Sequence, residues 1–299
     1  MSKRAREEAP VADTVADNGE KLIDGKRMAE TIRAEIAAEV PKVSLGPVAG
    51  SVQPCRPPQF LPLTGGLPWW HCQVTAALGR APGLAVVIVG DRKDSQTYVR
   101  NKVKACEECG IISTKLELKE ETTQAELLEN VRRLNADSTV DGVLVQLPLP
   151  SHINEATVLD EIALDKDVDG FHPSNLGLLA KRNRSPHAVP CTPAGVMEML
   201  SRSQVSVQGA NAVVIGRSDI VGVPVALLLL HANASVQILH SKTPKRELER
   251  AVGNADIVVA CVGSAALVQV LVFSSYPSFP PTETLAFPNP RFPSIDVRI

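Results

Sequence analysis

The sequence predicts an α/β fold of two parallel-sheet domains, the second of which has the pattern of an incomplete Rossmann fold. Short apolar runs rich in valine and isoleucine alternate with helical patterns of roughly 10 to 15 residues, as in right-handed βαβ units. The alternation is interrupted between residues 41 and 81 and stops after Gly263. A length of 299 residues is enough for two separate hydrophobic cores.

Composition and charge exclude several classes of protein. The formal net charge is −2, so the chain has no strong field that would attract nucleic acid or an anionic membrane. Its apolar runs are far shorter than the roughly 20 residues that span a bilayer. Residues 1–18 lack the apolar core of a secretory signal, and their acidic side chains are unlike an organellar transit peptide. We therefore expect a cytoplasmic protein, with an organelle still open, whose residues 1–19 form a disordered tail.

The six cysteines are scattered along the chain and, without a secretory signal, indicate reduced thiols. Cys106 and Cys109 form a C-x-x-C pair inside a helical pattern, but the sequence has no second ligand pair at zinc spacing. We therefore expect no metal site.

The first domain is expected to span residues 20–190. It begins with an amphipathic helix whose apolar residues recur at every fourth position: Met28, Ile32, Ile36 and Val40. No such period survives over residues 41–81, where prolines are frequent, so we interpret this stretch as an atypical proline-rich insertion. The predicted elements that follow are a strand over Leu84 to Val89, a helix over Ser95 to Gly110, a strand over Lys115 to Leu118, a helix over Thr123 to Asn135 and a strand over Gly142 to Leu147.

The second domain is expected over residues 191–266 as a partial Rossmann fold. It starts with a helix that Thr192 would cap and that Pro193 would open at the first helical position. The predicted elements that follow are a strand over Asn211 to Ile215, a helix over Val221 to His231, a strand over Ser235 to Leu239, a helix over Pro244 to Val252 and a strand over Ile257 to Val262. Residues 267–299 show no period, so we expect a divergent, unstructured tail there.

Polar side chains follow the strands of the first domain at the edge where open α/β sheets bind ligands. Tyr98 and Lys102 are four residues apart and share one helix face, where they could serve proton transfer or could be a half-buried edge beside a solvated charge. Gln146 closes a buried strand and either points into the cleft or merely ends the strand. Asp167 and Asp169 frame the turn signal Asp-Val-Asp-Gly.

A loop with two glycines joins the first strand of the second domain to its helix. Gly216 and Gly222 permit close backbone approach, and the helix N-terminus favours a phosphate, although the G-x-G-x-x-G fingerprint is absent. Arg217 lies beside this loop, and a guanidinium matches phosphate geometry. The next strand ends at residues 240–243, a basic and hydroxyl-bearing set where an acidic residue would favour NAD. The sequence therefore favours NADP.

Together these segments resemble the bifunctional methylenetetrahydrofolate dehydrogenase/methenyltetrahydrofolate cyclohydrolase family, and its plant members in particular. The resemblance covers about residues 20–40 and 82–266. The stretches that carry it are particular to this family: DSQTYVRNKVKACEECG (94–110), GVLVQLPLP (142–150), KDVDGFHPSN (166–175) and GRSDIVGVP (216–224).

The resemblance implies roles for the candidate residues. Tyr98, Lys102 and Gln146 match the family's catalytic residues, with Lys102 orienting or deprotonating the attacking water. Tyr98 and Asp169 match substrate-binding residues, and Asp169 would hold the pterin ring. Five further positions match the cofactor-binding residues: Gly216, Arg217, Ser218, Ile220 and Ser241.

The resemblance also implies an activity within one-carbon metabolism and purine biosynthesis. Such enzymes oxidise 5,10-methylenetetrahydrofolate to the methenyl form with NADP and hydrolyse that to 10-formyltetrahydrofolate, and they commonly form homodimers. Tetrahydrofolate derivatives and a second copy of the chain are therefore the expected partners. Residues 41–81 and the chain beyond residue 266 depart from the family pattern, so we expect a truncated, weakly active variant.

Two other readings stay open at this point. A short-chain dehydrogenase also uses Tyr-x-x-x-Lys, but there the pair follows the nucleotide loop, whereas here Tyr98 precedes Gly216 by more than a hundred residues. The chain could instead be an inactive variant that acts only as a dimerising partner of the full-length enzyme.

Overall fold

A computed structural model describes residues 80–262 without a gap and the helix over residues 25–39. It also describes two short antiparallel pairs of strands: Thr14–Val15 with Lys21–Leu22, and Pro288–Asn289 with Phe292–Pro293. Nearly all of the three stretches expected to be irregular, residues 1–19, 41–81 and 267–299, lies outside the described residues.

The first domain is built on a three-stranded parallel sheet, as the sequence predicts. Strand β1 (Gly83–Val89) lies between β2 (Ile112–Leu118) and β3 (Gly142–Val145). The last four residues of the central strand β1, from 86 to 89, are β-branched, and its residues from 85 to 89 are buried because both faces of the sheet are covered. Strand β2 is an edge strand, and its residues alternate between exposed and half-buried.

Five helices of the described chain belong to this domain. They are α1 (Gly25–Glu39), α2 (Lys93–Glu108), α3 (Gln124–Ala136), α4 (Glu155–Glu161) and α5 (Pro173–Leu179). The sequence predicted the first three, and it missed the two seven-residue helices because they are too short to show a helical period.

Local signals set the helix ends that the sequence predicted well. Thr123 and Glu126 form a capping box at the start of α3, in which each side chain accepts a hydrogen bond from the other residue's backbone N–H. At the end of α2, Gly110 adopts a left-handed conformation with φ of 73°, and Ile111 N donates to Cys106 O at 2.9 Å.

The two faces of the first sheet pack on different helices. Side chains of Val87, Val131 and Val158 meet on the face that α3 and α4 cover. On the opposite face Val86 packs with Val99 of α2. Helix α2 is therefore fixed to the sheet through a fully buried apolar contact, which sets the position of its other side chains.

Within residues 191–260 the second domain contains another three-stranded parallel sheet and three helices. Its elements are α6 (Cys191–Arg202), β4 (Asn211–Ile215), α7 (Gly222–His231), β5 (Ser235–Leu239), α8 (Lys245–Gly253) and β6 (Ile257–Ala260). Strand β4 lies between β5 and β6, so the β-α-β-α-β order predicted from the sequence is confirmed. Helices α6 and α7 cover one face, and α8 covers the other.

The predicted start of α6 is wrong by two residues. The cap is Pro190 rather than Thr192, and Pro193 is the third helical residue rather than the first. Every N–H of the first helical turn lacks a partner within the helix, so proline is tolerated throughout that turn and does not mark its first position uniquely.

Polar contacts link the two domains. The guanidinium of Arg202, at the end of α6, binds both carboxylate oxygens of Glu35 in α1, at 2.8 and 3.1 Å, and also Glu198 at 2.6 Å. The Nε2 atom of His231, at the end of α7, lies 2.6 Å from Leu179 O at the end of α5. Within the described ranges no helix is both long and apolar enough to cross a membrane.

Substitutions at two adjacent leucines in α7 test how the core of the second domain is packed. Leu229 is fully buried, whereas 54% of Leu230 is exposed. We expect Leu229→Ala to lower the free energy of unfolding by about 2–5 kcal/mol, because it removes apolar contacts and leaves a cavity. The matched control Leu230→Ala should change it by less than about 0.5 kcal/mol. Urea titrations followed by circular dichroism measure both, and equal losses in the two variants would contradict this packing.

Candidate active site

Gln146 lies at the carboxyl edge of the first sheet. Its backbone N–H donates to Val87 O at 2.8 Å, which extends the pairing of β3 with β1 by one residue. Its side-chain nitrogen donates to Leu147 O at 2.8 Å, whereas its side-chain oxygen, Oε1, is buried without a hydrogen-bond partner. Because an unpaired buried acceptor costs free energy, this oxygen is suited to receive a hydrogen bond from a ligand or a bound water.

The segment that contains Asp169 lies on the side of β3 opposite β1. Asp167 forms a parallel bridge with Val143, and Val143 N donates to Lys166 O at 2.8 Å. The chain turns directly after Asp167, since Gly170 N donates to Asp167 Oδ1 at 2.9 Å. Asp169 therefore lies in a turn beside the strand that Gln146 follows, although 23 positions separate the two residues in the sequence.

Helix α2 contributes Tyr98 and Lys102. Its core-facing side includes Ser95 and Val99, which are buried against the sheet, and the two candidate residues lie beside that face. Lys102 is half-buried, and 60% of Tyr98 is exposed. The structure contains no hydrogen bond between Tyr98 and Lys102, so the phenol is available to a ligand.

The electrostatics of this edge centre on the carboxyl group of Asp169. Its pKa is raised from 3.8 to about 6, mainly by burial and to a smaller extent by the negative charge of Asp167. The Lys102 cation acts in the opposite direction and lowers it. Lys102 is thus within electrostatic reach of Asp169, which brings the helix and the Asp-Val-Asp-Gly segment together at one place.

The loop that follows β4 requires glycine at both of its ends. Gly216 has φ of 121°, and a Cβ atom added to it would lie 2.6 Å from Cys261 O. A Cβ atom added to Gly222 would lie 2.5 Å from Gly216 O. The loop therefore folds tightly against the ends of β4 and β6 and leaves room in front of the first turn of α7.

Three of the other predicted cofactor residues lie within this loop, and the fourth, Ser241, lies in the turn after β5. Arg217, Ser218 and Ser241 are exposed, and Ile220 is half-buried. The hydroxyl of Ser218 accepts a hydrogen bond from Gly222 N at 3.3 Å. The turn that carries Ser241 is closed by hydrogen bonds between residues 240 and 243, which leaves the serine side chain facing outward.

Three residues have features that sequence patterns did not reveal. Asp167 and Asn175 are buried polar residues that hydrogen-bond each other, at 4% and 1% exposure. Arg202 joins the domains through carboxylates of two helices. Asp167 and Asn175 both lie in the family stretch KDVDGFHPSN, but no pattern in the sequence indicated that they would be buried or would hydrogen-bond each other.

Cys106 and Cys109, the C-x-x-C pair, are buried free thiols in and just after α2. Burial raises the pKa of both, which lowers their thiolate fraction. Within the part of the chain that the structure describes, no group of three or more His, Cys, Asp or Glu residues could hold a metal ion.

The sequence matches the profiles of two domains of one family. Residues 69–169 match the family described as tetrahydrofolate dehydrogenase/cyclohydrolase, catalytic domain. Residues 190–274 match the NAD(P)-binding domain of the tetrahydrofolate dehydrogenase/cyclohydrolase family.

Individual relatives cover most of the chain. Bifunctional protein FolD 2 of Arabidopsis thaliana is 48% identical over 85% of this chain and 74% of its own length. The chloroplastic FolD 4 of the same plant is 44% identical over 86% of this chain, which spans only 62% of that protein. The crystal structure of the Trypanosoma brucei FolD enzyme with NADP and an inhibitor aligns with a TM-score of 0.67 and 38% identity, over 81% of this chain and 72% of that one. The α/β fold class expected from the sequence is therefore confirmed.

The raised pKa of Asp169 predicts a pH-dependent stability. In the unfolded chain the carboxyl ionises near its ordinary pKa, so its contribution to stability is full below about pH 4 and is lost as the pH rises through about 6. Asp169→Asn should therefore raise the free energy of unfolding by about 1–3 kcal/mol above pH 7, and the gain should shrink towards pH 4.

Urea titrations between pH 4 and 8, at intervals of about one unit, measure this difference. Asp165→Asn is the control, because Asp165 lies four residues earlier and is exposed. A gain for Asp169→Asn that is the same at every pH would show that the carboxyl is not the cause.

Proposed function

Because the chain belongs to the tetrahydrofolate dehydrogenase/cyclohydrolase family, we propose that it oxidises 5,10-methylenetetrahydrofolate to the methenyl form with NADP and hydrolyses that product to 10-formyltetrahydrofolate. One observation supports this most directly: Lys102 acts electrostatically on the buried carboxyl of Asp169. In addition, Gln146, which follows β3, has a buried Oε1 without a hydrogen-bond partner.

The second domain fits a dinucleotide. Gly216 and Gly222 bring the backbone close to the position of a phosphate, and the N-terminus of α7 supplies N–H groups and a favourable dipole. We assign contacts with the cofactor to Gly216, Ser218 and Ile220. NADP, when bound, accepts the hydride from the methylene carbon of the folate.

The preference for NADP follows from the side chains around the same loop. Arg217 and Ser241 are exposed near the ends of neighbouring strands, where the adenosine ribose lies in a dinucleotide fold. A guanidinium and a hydroxyl can both bind a 2′-phosphate, and the turn at residues 240–243 contains no carboxylate that would repel it.

Asp169 would hold the pterin. At neutral pH a group with a pKa of about 6 is mostly ionised, so its oxygens accept hydrogen bonds from the amino-substituted edge of the ring. The half-buried site strengthens these hydrogen bonds because less water competes for them. The exposed ring of Tyr98 would stack against the substrate or donate its hydroxyl to it.

Lys102 would act in the hydrolysis step. The methenyl carbon is electrophilic, and water that attacks it must lose a proton. The neutral amine of Lys102 can orient that water and accept its proton, which passes to the ring nitrogen as the bond between that nitrogen and the carbon breaks. Gln146 Oε1 can accept a hydrogen bond from the water's second O–H. Nearby Asp169 supplies a negative charge that balances the lysine cation while it carries the proton.

From the family resemblance we also propose that the chain forms a homodimer, acts in purine biosynthesis and is located in the cytoplasm. No observation in the structure favours the inactive dimerising partner over the enzyme.

Two lysines of α2 test the catalytic assignment. Lys102→Met should slow the hydrolysis of 5,10-methenyltetrahydrofolate by at least about 100-fold, because the water loses its proton-transfer partner. Lys104 lies two residues away, is mostly exposed and pairs only weakly with Glu108 at 3.8 Å, so Lys104→Met is the matched control and should retain wild-type turnover. The loss of methenyl absorbance measures both rates, and an equal rate in the two variants would contradict the role of Lys102.

Two glycines test the cofactor loop. Gly222→Ala places a methyl group against the backbone of Gly216, so the loop must move away from the phosphate position, and NADPH should bind at least about 10-fold more weakly. Gly195→Ala in α6 is the control, because a Cβ atom added there meets nothing within 4 Å. Fluorescence titration with NADPH gives the two dissociation constants, and unaltered binding by Gly222→Ala would rule out this loop as the phosphate site.

A further inference from the structure

We propose that Asp167 is a positioning residue, whose buried carboxylate, together with Asn175, fixes the backbone that carries Asp169 to the pterin. The inference rests on the proposed function, because it assigns a structural cause to the substrate contact of Asp169. It concerns a residue that does not itself reach the cleft, since only 4% of Asp167 is exposed.

The carboxylate of Asp167 closes the loop on itself. Its Oδ1 accepts hydrogen bonds from Gly170 N at 2.9 Å and from Phe171 N at 3.3 Å. Its Oδ2 accepts from His172 N at 2.9 Å. Asp169 lies between Asp167, which accepts these hydrogen bonds, and residues 170–172, which donate them. The backbone of Asp169 therefore has little freedom to move.

Asn175 completes the set and connects the loop to a second segment. Its Nδ2 donates to Asp167 Oδ2 at 2.8 Å, and its Oδ1 accepts from His187 N at 2.8 Å and Ala188 N at 3.3 Å. One fully buried amide therefore binds both the Asp-Val-Asp-Gly loop and the chain that leads into α6.

Gly170 shows how closely the two segments meet. It has φ of 70°, and an added Cβ atom would lie 2.8 Å from Pro190 N and 2.9 Å from Ala188 O. The loop is therefore held by its hydrogen bonds to the Asp167 carboxylate and by the close backbone contact with residues 188–190. Such tight support is what a substrate-binding carboxylate needs in order to be placed to within a fraction of an ångström.

Both of the carboxylate oxygens are required as acceptors. A buried carboxylate without a cation is stable only if hydrogen-bond donors compensate for its lost hydration, and four donors do so here. An asparagine of the same shape would turn one oxygen into an NH₂ group that faces donors. The substitution Asp167→Asn therefore removes the function while it keeps the volume.

The charge of Asp167 provides a second, independent readout. Within the described residues the charged groups that act on Asp169 are Lys102 of α2, which lowers its pKa, and Asp167 of its own loop, which raises it. Neutralising position 167 should therefore lower the pKa of Asp169. A carboxylate that is not held close to Asp169 would not shift the titration of Asp169 in this direction.

The experiment compares Asp167→Asn with Asp141→Asn in the full chain. Asp141 is the matched control, because it is a half-buried carboxylate beside the same sheet that accepts from Gly83 N and Arg80, both at 2.7 Å, at the amino ends of the strands. For Asp167→Asn we expect the KM for 5,10-methylenetetrahydrofolate to rise at least about 10-fold while the KM for NADP changes less than about twofold. The acidic limb of kcat/KM against pH should move to lower pH. Asp141→Asn should show neither change.

Several outcomes would overturn the proposal. An unchanged folate KM with an unchanged acidic limb, or equal increases in both KM values, would show that Asp167 does not act on the folate site. If Asp167→Asn does not fold, Asn175→Ala, which removes one donor to the same carboxylate, should raise the folate KM selectively, and an unchanged folate KM would count equally against the proposal.

Failure of the proposed function gives a different result. In that case the wild-type chain has no turnover, and the positioning role is tested by NMR titration of ¹³C-labelled aspartate. The pKa of Asp169 should then be lower in Asp167→Asn than in the wild type, and an equal or higher value would refute the positioning role by itself.

Discussion

The parallel pairing of strands is the constraint on which the rest of this structure depends. Since β2 and β3 both run in the same direction as β1, every strand of the first sheet ends at one edge, and each following segment begins there. This places the start of α2, which follows β1, and Gln146, which follows β3, at one edge of the sheet. The second sheet repeats the arrangement, so the loop after β4 and the turn after β5 also share an edge. Without parallel pairing, these residues would lie at opposite ends of their sheets.

The charged groups around Asp169 lower the stability of the fold. Asp169 is driven towards its neutral form by burial and by Asp167, and Lys102 opposes this only in part. A more stable fold would replace these groups with apolar or neutral side chains. Their presence is explained if the carboxylate and the amine are needed by a substrate that carries a polar ring and releases a proton.

Helix α6 begins the second domain, and hydrogen bonds near both of its ends connect it to the first domain. Its start follows the segment that Asn175 binds, and its end carries Arg202, which is anchored to Glu35 of α1. Hydrogen bonds to Glu35 and then Glu198 raise the pKa of the Arg202 guanidinium, which therefore stays charged at any physiological pH. The contact of His231 with Leu179 O adds a tie at the end of α7. The chain is thus hydrogen-bonded to the first domain shortly before α6 and at its end.

The elements that could be predicted from the sequence are those whose cause is local. Runs of valine and isoleucine mark the buried strands, the capping box at Thr123 marks the start of α3, and Gly110 marks the end of α2. The family strings identified the candidate residues because each string is one short continuous stretch of sequence. The starting residue of α6 and the two short helices α4 and α5 escaped prediction, because helices of about two turns are stabilised by packing rather than by their own sequence.

The sequence by itself therefore determined the alternation of strands and helices, the α/β fold class and the residue types that the chemistry needs. Only the tertiary structure decided which polar groups are buried together. It paired Asp167 and Asn175 with backbone N–H groups of two segments, left Gln146 Oε1 without a partner and joined Arg202 to Glu35 across 167 positions of sequence. The reason is physical: secondary structure follows from interactions within a few residues, whereas hydrogen bonds between buried polar groups depend on segments that meet only when the whole chain has folded.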